Sequence, residues 1–310
     1  MNKKRINVTR IAGINRYETA LKTKYYYLDE IASSKFLVVT SGESFVDALS
    51  GGLLASEYNC PLVFVKNNSL NNDFKKGYNP LKIQKVFVVG GKSTISDKTI
   101  KDLDISNMER LSGKNRLETA HKVDTEIKNL MASRNPKISA YTDIIAVYDG
   151  YNFPDALSAI PFMYQYNRRP NDNYLSLFPN IEKSKNKIEG SAYLIFGGKS
   201  SVPEYSYEKT RFDGKNRYET AVLVAKAYKE MINKDIDTIV LVSGKDYADA
   251  LSSTPLASSK KAAILLTESN NLNAYTKEYL STNKNIKNVI IVGGESSVSN
   301  SIVNELEAIK

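Results

Sequence analysis

One signature, met three times in one chain, limits what this sequence can fold into more than any other feature. Arg10, Gly13, Asn15, Arg16, Glu18, Thr19 and Ala20 recur in the same order and spacing as Arg110, Gly113, Asn115, Arg116, Glu118, Thr119 and Ala120. They recur again as Arg211, Gly214, Asn216, Arg217, Glu219, Thr220 and Ala221. Two further blocks keep the register. Ser41 and Gly42 lead to Asp47, Ala48 and Leu49; Asp149 and Gly150 lead to Asp155, Ala156 and Leu157; Ser243 and Gly244 lead to Asp249, Ala250 and Leu251. Glycine pairs then follow apolar runs at Gly90 and Gly91, Gly197 and Gly198, and Gly293 and Gly294. A period of about a hundred residues that holds over three blocks marks tandem modules. The units read as 1–107, 108–208 and 209–310.

Within a unit, helical and strand patterns alternate. In the first, a helix is expected over about 16–32, a strand at Phe36–Thr40, a helix over about 45–58 and a strand at Leu62–Val65. After a polar connection come a strand at Lys85–Val89 and a short helix over about 96–103. Repeat three matches, with strands at Thr238–Val242, Ala263–Leu266 and Asn288–Val292. The strands are unbroken runs of Val, Ile, Leu and Phe. Such runs suit a mostly parallel sheet covered on both faces, so the fold class is α/β. Repeat two departs, with extra residues around 133–141 and a polar connection over 166–173 before a strand at Tyr174–Phe178, and its surface is expected to differ there.

Composition narrows the function. The formal charge of +9 favours acidic partners. The lysines and arginines are dispersed rather than gathered in a nucleic-acid-binding block, so no nucleic acid is expected. No apolar stretch nears the ~18 residues of a membrane span, so no membrane insertion is expected. The basic start, Lys3 to Arg5, is not followed by an apolar signal core. That leaves an intracellular chain or a mature or excised piece as the two readings. Cys60, the single cysteine, permits no internal disulfide and reads as a buried, inert thiol in an apolar run.

Catalytic patterns are scarce. His121 is the single histidine, which excludes metal sites built on several histidines and a histidine-dependent triad in each repeat. It reads as a packed or partly exposed helix residue. Gly91, Lys92 and Ser93 resemble the end of a phosphate-binding loop, but Val86 stands where that loop needs its first glycine. In repeat two Tyr193 stands there, and in repeat three Glu295 replaces the lysine. No dinucleotide glycine motif follows any strand. No cofactor and no metal are expected.

Much of the signature has a local structural reading. Asn15, Asn115 and Asn216 precede helices, each with a glutamate three residues on, at Glu18, Glu118 and Glu219: the spacing of a capping box. Asp47, Asp155 and Asp249 read as first-turn carboxylates behind the cap types Ser44, Asn152 and Asp246. The arginines Arg10, Arg16, Arg110, Arg116, Arg211 and Arg217 are not needed for capping. Their planar forks suit either ion pairs, with the repeated aspartates as partners, or an anionic ligand. Both readings stay open, and one arginine of each pair can serve each purpose. The tyrosines number 20, and Tyr25, Tyr26 and Tyr27 form their densest cluster.

Together the arginine signature, the Asp-Ala-Leu block and the Gly-Gly block resemble the cell wall binding repeat 2 family of clostridial surface proteins, over essentially the whole chain. The resemblance implies three tandem Rossmann-like modules in a pseudo-threefold arrangement. It implies non-covalent anchoring of a surface protein to a Gram-positive wall through an anionic secondary cell-wall polysaccharide. S-layer proteins are further partners it suggests, and the implied place is secreted, on the cell wall or cell surface. The family also carries an Ile-Leu-Leu motif tied to polymer binding, intact here as Ile264, Leu265 and Leu266. Repeat one places Val63, Phe64 and Val65 there, and repeat two Leu175, Ser176 and Leu177. Read from the residues, these are buried strand positions that shape a cleft. Alternatives to a binding module are a structural or self-assembly module of a surface layer and a glycan-acting enzyme.

Overall fold

The computed structural model describes residues 6–28, 35–70, 83–134, 144–169, 174–181, 188 and 190–309. In chain order these form β1 (Asn7–Ile11), α1 (Arg16–Leu28), β2 (Phe36–Ser41), α2 (Phe45–Tyr58), β3 (Leu62–Val65), β4 (Lys85–Val89), α3 (Asp97–Lys101) and β5 (Met108–Leu111). There follow α4 (Arg116–Arg134), β6 (Ile144–Asp149), α5 (Pro154–Tyr166), β7 (Leu175–Asn180), β8 (Ala192–Phe196) and β9 (Glu208–Phe212). The last repeat adds α6 (Arg217–Ile232), β10 (Thr238–Ser243), α7 (Tyr247–Ser252), α8 (Thr254–Ser259), β11 (Ala263–Thr267), α9 (Ala274–Thr282), β12 (Asn288–Val292) and α10 (Asn300–Glu307).

The strands form three four-stranded parallel sheets, ordered β3-β2-β4-β5, β7-β6-β8-β9 and β11-β10-β12-β1. The apolar strand runs are buried on both faces. Val38, Phe64 and Phe87 belong to the large shared core, and Leu37, Val39, Val63 and Val88 to a separate cluster on the other face. This is the burial that the unbroken runs predict.

Each sheet borrows its last strand. The segment carrying the first signature arginine, to which the sequence pattern assigns no element, is the edge strand of the preceding repeat's sheet. β5 pairs β4, with Arg110 opposite Val88, and β9 pairs β8. β1 closes the circle by pairing β12, with Arg10 opposite Ile291. The sheets therefore straddle residues 107 and 208, and the chain's two ends meet in one sheet. These strands are short, polar on one side and edge-placed, which is why their apolar pattern is too weak to be read alone.

Three central helices pack on one another: α2, α5 and the α7–α8 pair. Their starts bring Phe45, Phe153 and Tyr247 together, with ring centroids 6.0, 5.8 and 5.9 Å apart around the triangle. Such near-equal spacing marks a pseudo-threefold axis. About two turns further in, Gly52 lies against Thr254 and Ile160: a Cβ there would meet the Thr254 hydroxyl at 2.5 Å and Ile160 Cδ1 at 3.5 Å. In repeat three the central helix is split, where the pattern shows one helix. Pro255 has no N–H for the carbonyl of Leu251, and the Thr254 hydroxyl donates to that oxygen instead at 2.9 Å.

The first helix of each repeat is a wedge. α4 packs on its own β7 and on α2 of the repeat before, and α6 packs on β11 and on α5. Repeat two differs at its polar connection, as expected. Arg168 from that segment ion-pairs with the fully buried Glu57 of repeat one at 2.8 Å. Arg134 donates to the Glu57 carbonyl at 3.2 Å. Residues 29–34, 71–82, 135–143 and 170–173, which take in the end of the first expected helix, the polar connection of repeat one and parts of the repeat-two insertions, lie outside the described residues. Among the described residues no helix is long and apolar enough to cross a membrane.

Ring closure by β1 gives a first prediction. Ile6 and Ile11 are 1% and 6% exposed, so removing residues 1–12 takes away two buried side chains, together worth about 5 kcal/mol. It also opens one edge of β12. The truncated chain is expected to melt at a lower temperature and to show faster amide exchange along β12 and at Gly293, whose N–H donates to the Ile11 carbonyl. Unchanged exchange there would show that β1 does not close the ring.

Candidate functional site

The signature residues gather at the carboxyl ends of the strands, where successive repeats meet. The first arginine of each signature grips the glycine turn of the preceding repeat. Arg110 donates to the Gly90 carbonyl at 2.8 Å and the Ile95 carbonyl at 3.0 Å, and pairs with Asp97 at 3.1 Å. Arg211 donates to the carbonyls of Gly197, Val202 and Pro203 at 3.0, 2.9 and 3.1 Å, and pairs with Glu208. Arg10 reaches across the chain ends to the Gly293 carbonyl at 2.9 Å and to Asn300 at 3.2 Å. The glycines of these turns, Gly90, Gly197 and Gly293, have φ of 132°, 127° and 131°, which a side chain would strain.

The second arginine holds the loop after the first strand of its own repeat. Arg16 donates to the Gly42 carbonyl at 2.8 Å and Arg217 to that of Gly244 at 2.5 Å. Arg116 donates to the carbonyl of Gly150. Each also faces the aspartate of the repeat before. Burial raises the pKa of Asp47 and of Asp155, with Arg116 and Arg217 respectively opposing the shift. Burial and the neighbouring Asp246 raise that of Asp249, opposed by bonds from Thr19 and Ser297 and by Arg16. Asp155 also takes a bond from Thr220.

Asp47, Asp155 and Asp249 lie in the first helical turn, as their spacing predicts, and do more than favour the helix start. Phe153, not Asn152, is the first-turn boundary of α5, and it makes no side-chain cap bond. Asp246 does cap α7, accepting from the Ala248 N–H at 3.1 Å. Asp47, Asp155 and Asp249 point at the glycine turn of their own repeat. A Cβ on Gly90, Gly197 or Gly293 would sit 3.0, 3.1 or 3.1 Å from a carboxylate oxygen. In each sheet the chain reverses its winding between the first strand and the strand before the Gly-Gly turn. The crevice outside those two strand ends is where sheets of this kind bind ligands. Here the arginine of the following repeat faces that crevice's aspartate, joined at Asp155 and Asp249 by a bond from Thr220 and Thr19.

The capping boxes form as the spacing predicts, with one shift. Asn15 accepts from the N–H groups of Tyr17 and Glu18, both at 3.0 Å, and Asn216 from Tyr218 and Glu219 at 3.0 and 3.1 Å. Asn115 accepts from Glu118 at 2.9 Å. The glutamates reach one residue further back, to the N–H of Ile14, Lys114 and Lys215 at 2.9, 2.8 and 2.5 Å. This fold-back needs the signature glycine. A Cβ on Gly113 would lie 2.1 Å from Glu118 Cβ.

Ile264, Leu265 and Leu266 are all 0% exposed, in the β11 strand. The strand registers place Leu62, Val63 and Phe64 at the equivalent positions of repeat one, and Leu177, Phe178 and Pro179 in repeat two. That corrects the sequence alignment by one residue in repeat one and by two in repeat two, where the insertions had hidden the register. His121 lies against Phe178, ring centroids 4.4 Å apart, and burial lowers its pKa. Cys60 is buried and free, its pKa raised by desolvation. Tyr26 packs on the core beside Lys260, while the side chains of Tyr25 and Tyr27 lie outside the described residues. Among the described residues no group of His, Cys, Asp and Glu is placed to hold a metal ion.

The positions that the repeat comparison passes over are those just after the loop glycines: Glu43, Tyr151 and Lys245. They differ in every repeat, so repetition does not flag them, yet they stand on the rim beside the second arginines. Tyr151 is 60% exposed, with the Arg116 guanidinium 4.6 Å from its ring centroid.

Comparison with known proteins agrees with the repeat. The family model described as Cell wall binding domain 2 (CWB2) matches residues 10–100, 110–207 and 211–303. N-acetylmuramoyl-L-alanine amidase LytC of Bacillus subtilis (strain 168) is 29% identical over 316 residues, covering 97% of this chain and 58% of its own length. The Amidase enhancer of the same organism is 26% identical over 305 residues, covering 96% of this chain and 40% of its own. The chain thus spans well under two thirds of these curated relatives. Among solved structures, Cwp6 from Clostridium difficile superposes with a TM-score of 0.79 at 22% identity, over 100% of this chain and 49% of that one. Cwp8 from Clostridium difficile gives 0.76 at 21%, over 97% and 51%. At these identities the structures show a shared fold.

Asp155 makes the crevice sensitive to pH. Its pKa is pushed from 3.8 up to about 6 by burial. Between those values the folded chain holds a proton that the unfolded chain has released. The contribution is therefore fully present below the unfolded value and is lost as pH rises through about 6. Wild type minus Asp155→Asn stability is expected to fall by on the order of 2 kcal/mol from pH 4 to pH 7, measured by urea unfolding. A flat difference would mean that the carboxyl is ionised at both ends of that range.

Proposed function

The chain belongs to the Cell wall binding domain 2 family, and from that premise we propose that it anchors a surface protein non-covalently by gripping an anionic secondary cell-wall polysaccharide. The family match in all three repeats carries this reading, and the charge of +9 sets the sign of the ligand. The implied place is the cell wall or cell surface. S-layer or other surface proteins are the cargo that such an anchor would hold.

The geometry supports binding over catalysis. In the crevices where a Rossmann-like module would take a substrate, the buried aspartate already faces the next repeat's arginine. What remains open is the rim: the loops after β2, β6 and β10, held rigid by Arg16, Arg116 and Arg217. A glycan lying across a rigid rim is held by many weak contacts acting together. The buried Ile264, Leu265 and Leu266 support the floor beneath that rim rather than touching the polymer.

Sedimentation with Gram-positive walls tests the reading. Binding to walls that keep their secondary polysaccharide, lost from walls stripped of it, is expected. So is a fall in binding between low and high salt, because exposed charge contacts are screened. Equal binding to both wall preparations would favour a protein partner or a self-assembly role, and release of sugar would favour the enzyme reading.

A further inference from the structure

The three rims share a backbone but not a surface. At the position after the loop glycine stand Glu43, Tyr151 and Lys245: a carboxylate, an aromatic ring and an ammonium group. We infer that Tyr151 is a stacking platform for one sugar ring of the polymer, so that the three repeats bind unequally and repeat two makes the aromatic contact. This rests on the anchoring reading above and deepens it.

Exposed tyrosines are ordinarily free to swing, and ordering one on a ligand costs entropy. Tyr151 is held in advance. Its hydroxyl donates to the Ile181 carbonyl at 2.7 Å, and its N–H donates to Asp149 at 2.9 Å. The Arg116 guanidinium lies over the ring, 4.6 Å from its centroid, and is itself tied to the Gly150 carbonyl. The loop leaves no slack, since a Cβ on Gly150 would meet the Asn180 carbonyl at 2.8 Å. With one face covered by Arg116, the 60% exposure of the residue falls on the ring's other face and edge. A fixed, half-covered ring on the rim of a basic site suits the apolar C–H face of a pyranose, and the cation behind it favours a sugar that carries an acidic group.

The other repeats cannot do this. Glu43 sets a negative charge at the same place, opposed to an anionic polymer. Lys245 offers a charge without a stacking face. The aromatic rings near those loops are half-buried against their neighbours: Tyr17 and Tyr218 pack against Gly42 and Gly244, where a Cβ would come within 2.6 and 2.7 Å of their ring atoms, and Tyr247, its ring centroid 5.2 Å from the Arg16 guanidinium, packs on Phe45 and Phe153 at the central axis. Tyr207, though 78% exposed, precedes β9 at the opposite end of the sheet, away from the rim.

The test compares two polymers: walls that keep their secondary polysaccharide, and polyphosphate, which has charge but no sugar. Tyr151→Ala is expected to weaken wall binding about fivefold to tenfold and to leave polyphosphate binding and the melting temperature unchanged. Tyr151→Phe keeps the ring beneath Arg116 but loses the hydroxyl bond to Ile181, so on walls it should fall by only about twofold to threefold, less than Tyr151→Ala. Tyr207→Ala should match wild type. If wild type binds intact walls and Tyr151→Ala binds them equally, this inference falls and the anchor stands. Parallel losses on both polymers would make Tyr151 a support for Arg116 rather than a sugar contact, which also overturns it. If wild type ignores intact walls, the anchoring reading falls first and takes the inference with it.

Discussion

Everything in this molecule hangs on a guanidinium reaching from one repeat to a glycine carbonyl of the one before. Arg110, Arg211 and Arg10 make that reach at three places, the last across the chain ends. A carbonyl at the end of a parallel strand has no neighbour beyond the sheet, so a charged donor there satisfies it strongly. The strand that carries the arginine is at the same time the sheet's last strand. One short segment thus completes a sheet, ties off its turn and starts the next repeat's first helix. Cutting that link would open a sheet edge and leave charges without partners.

The circular closure follows from this rule applied three times. Each of the three repeats takes a strand and an arginine from another, and the third takes them from the first. β1 supplies both, which brings the N-terminal strand beside β12. The central helices then have one way to meet, and their starts form the triangle of Phe45, Phe153 and Tyr247. Closure has a functional consequence. The crevices that α/β sheets ordinarily use for ligands become joints, with buried aspartates answered by the arginine and threonine of a neighbour. The rim positions just after the loop glycines take no part in the arginine–carbonyl clasps. Glu43, Tyr151 and Lys245 can therefore diverge while the frame beneath them stays the same.

The sequence was legible wherever the physics was local or periodic. Buried strand runs and the capping boxes of Asn15, Asn115 and Asn216 come from short-range sterics and hydrogen bonding. The strand boundaries at Lys85–Val89 and Asn288–Val292 fall where the apolar runs place them. The spacing places the aspartates correctly in the first helical turn, but that they also lie against the glycine turn of their own repeat and beside the next repeat's arginine cannot be read in one dimension. The sequence pattern misplaces the positions equivalent to Ile264, Leu265 and Leu266 by one residue in repeat one and by two in repeat two, where insertions break the count of residues from the loop glycine.

From the sequence alone come three modules, their α/β class, their basic character and their family likeness. These are properties of pattern and composition, which do not depend on where the chain goes next. Only the tertiary structure decides that β1 belongs to the last sheet, that the paired arginines serve mainly as clasps and that Tyr151 stands fixed on the rim. Each of those depends on contacts between residues far apart in the chain, and a repeated motif carries no record of which copy its side chains will meet.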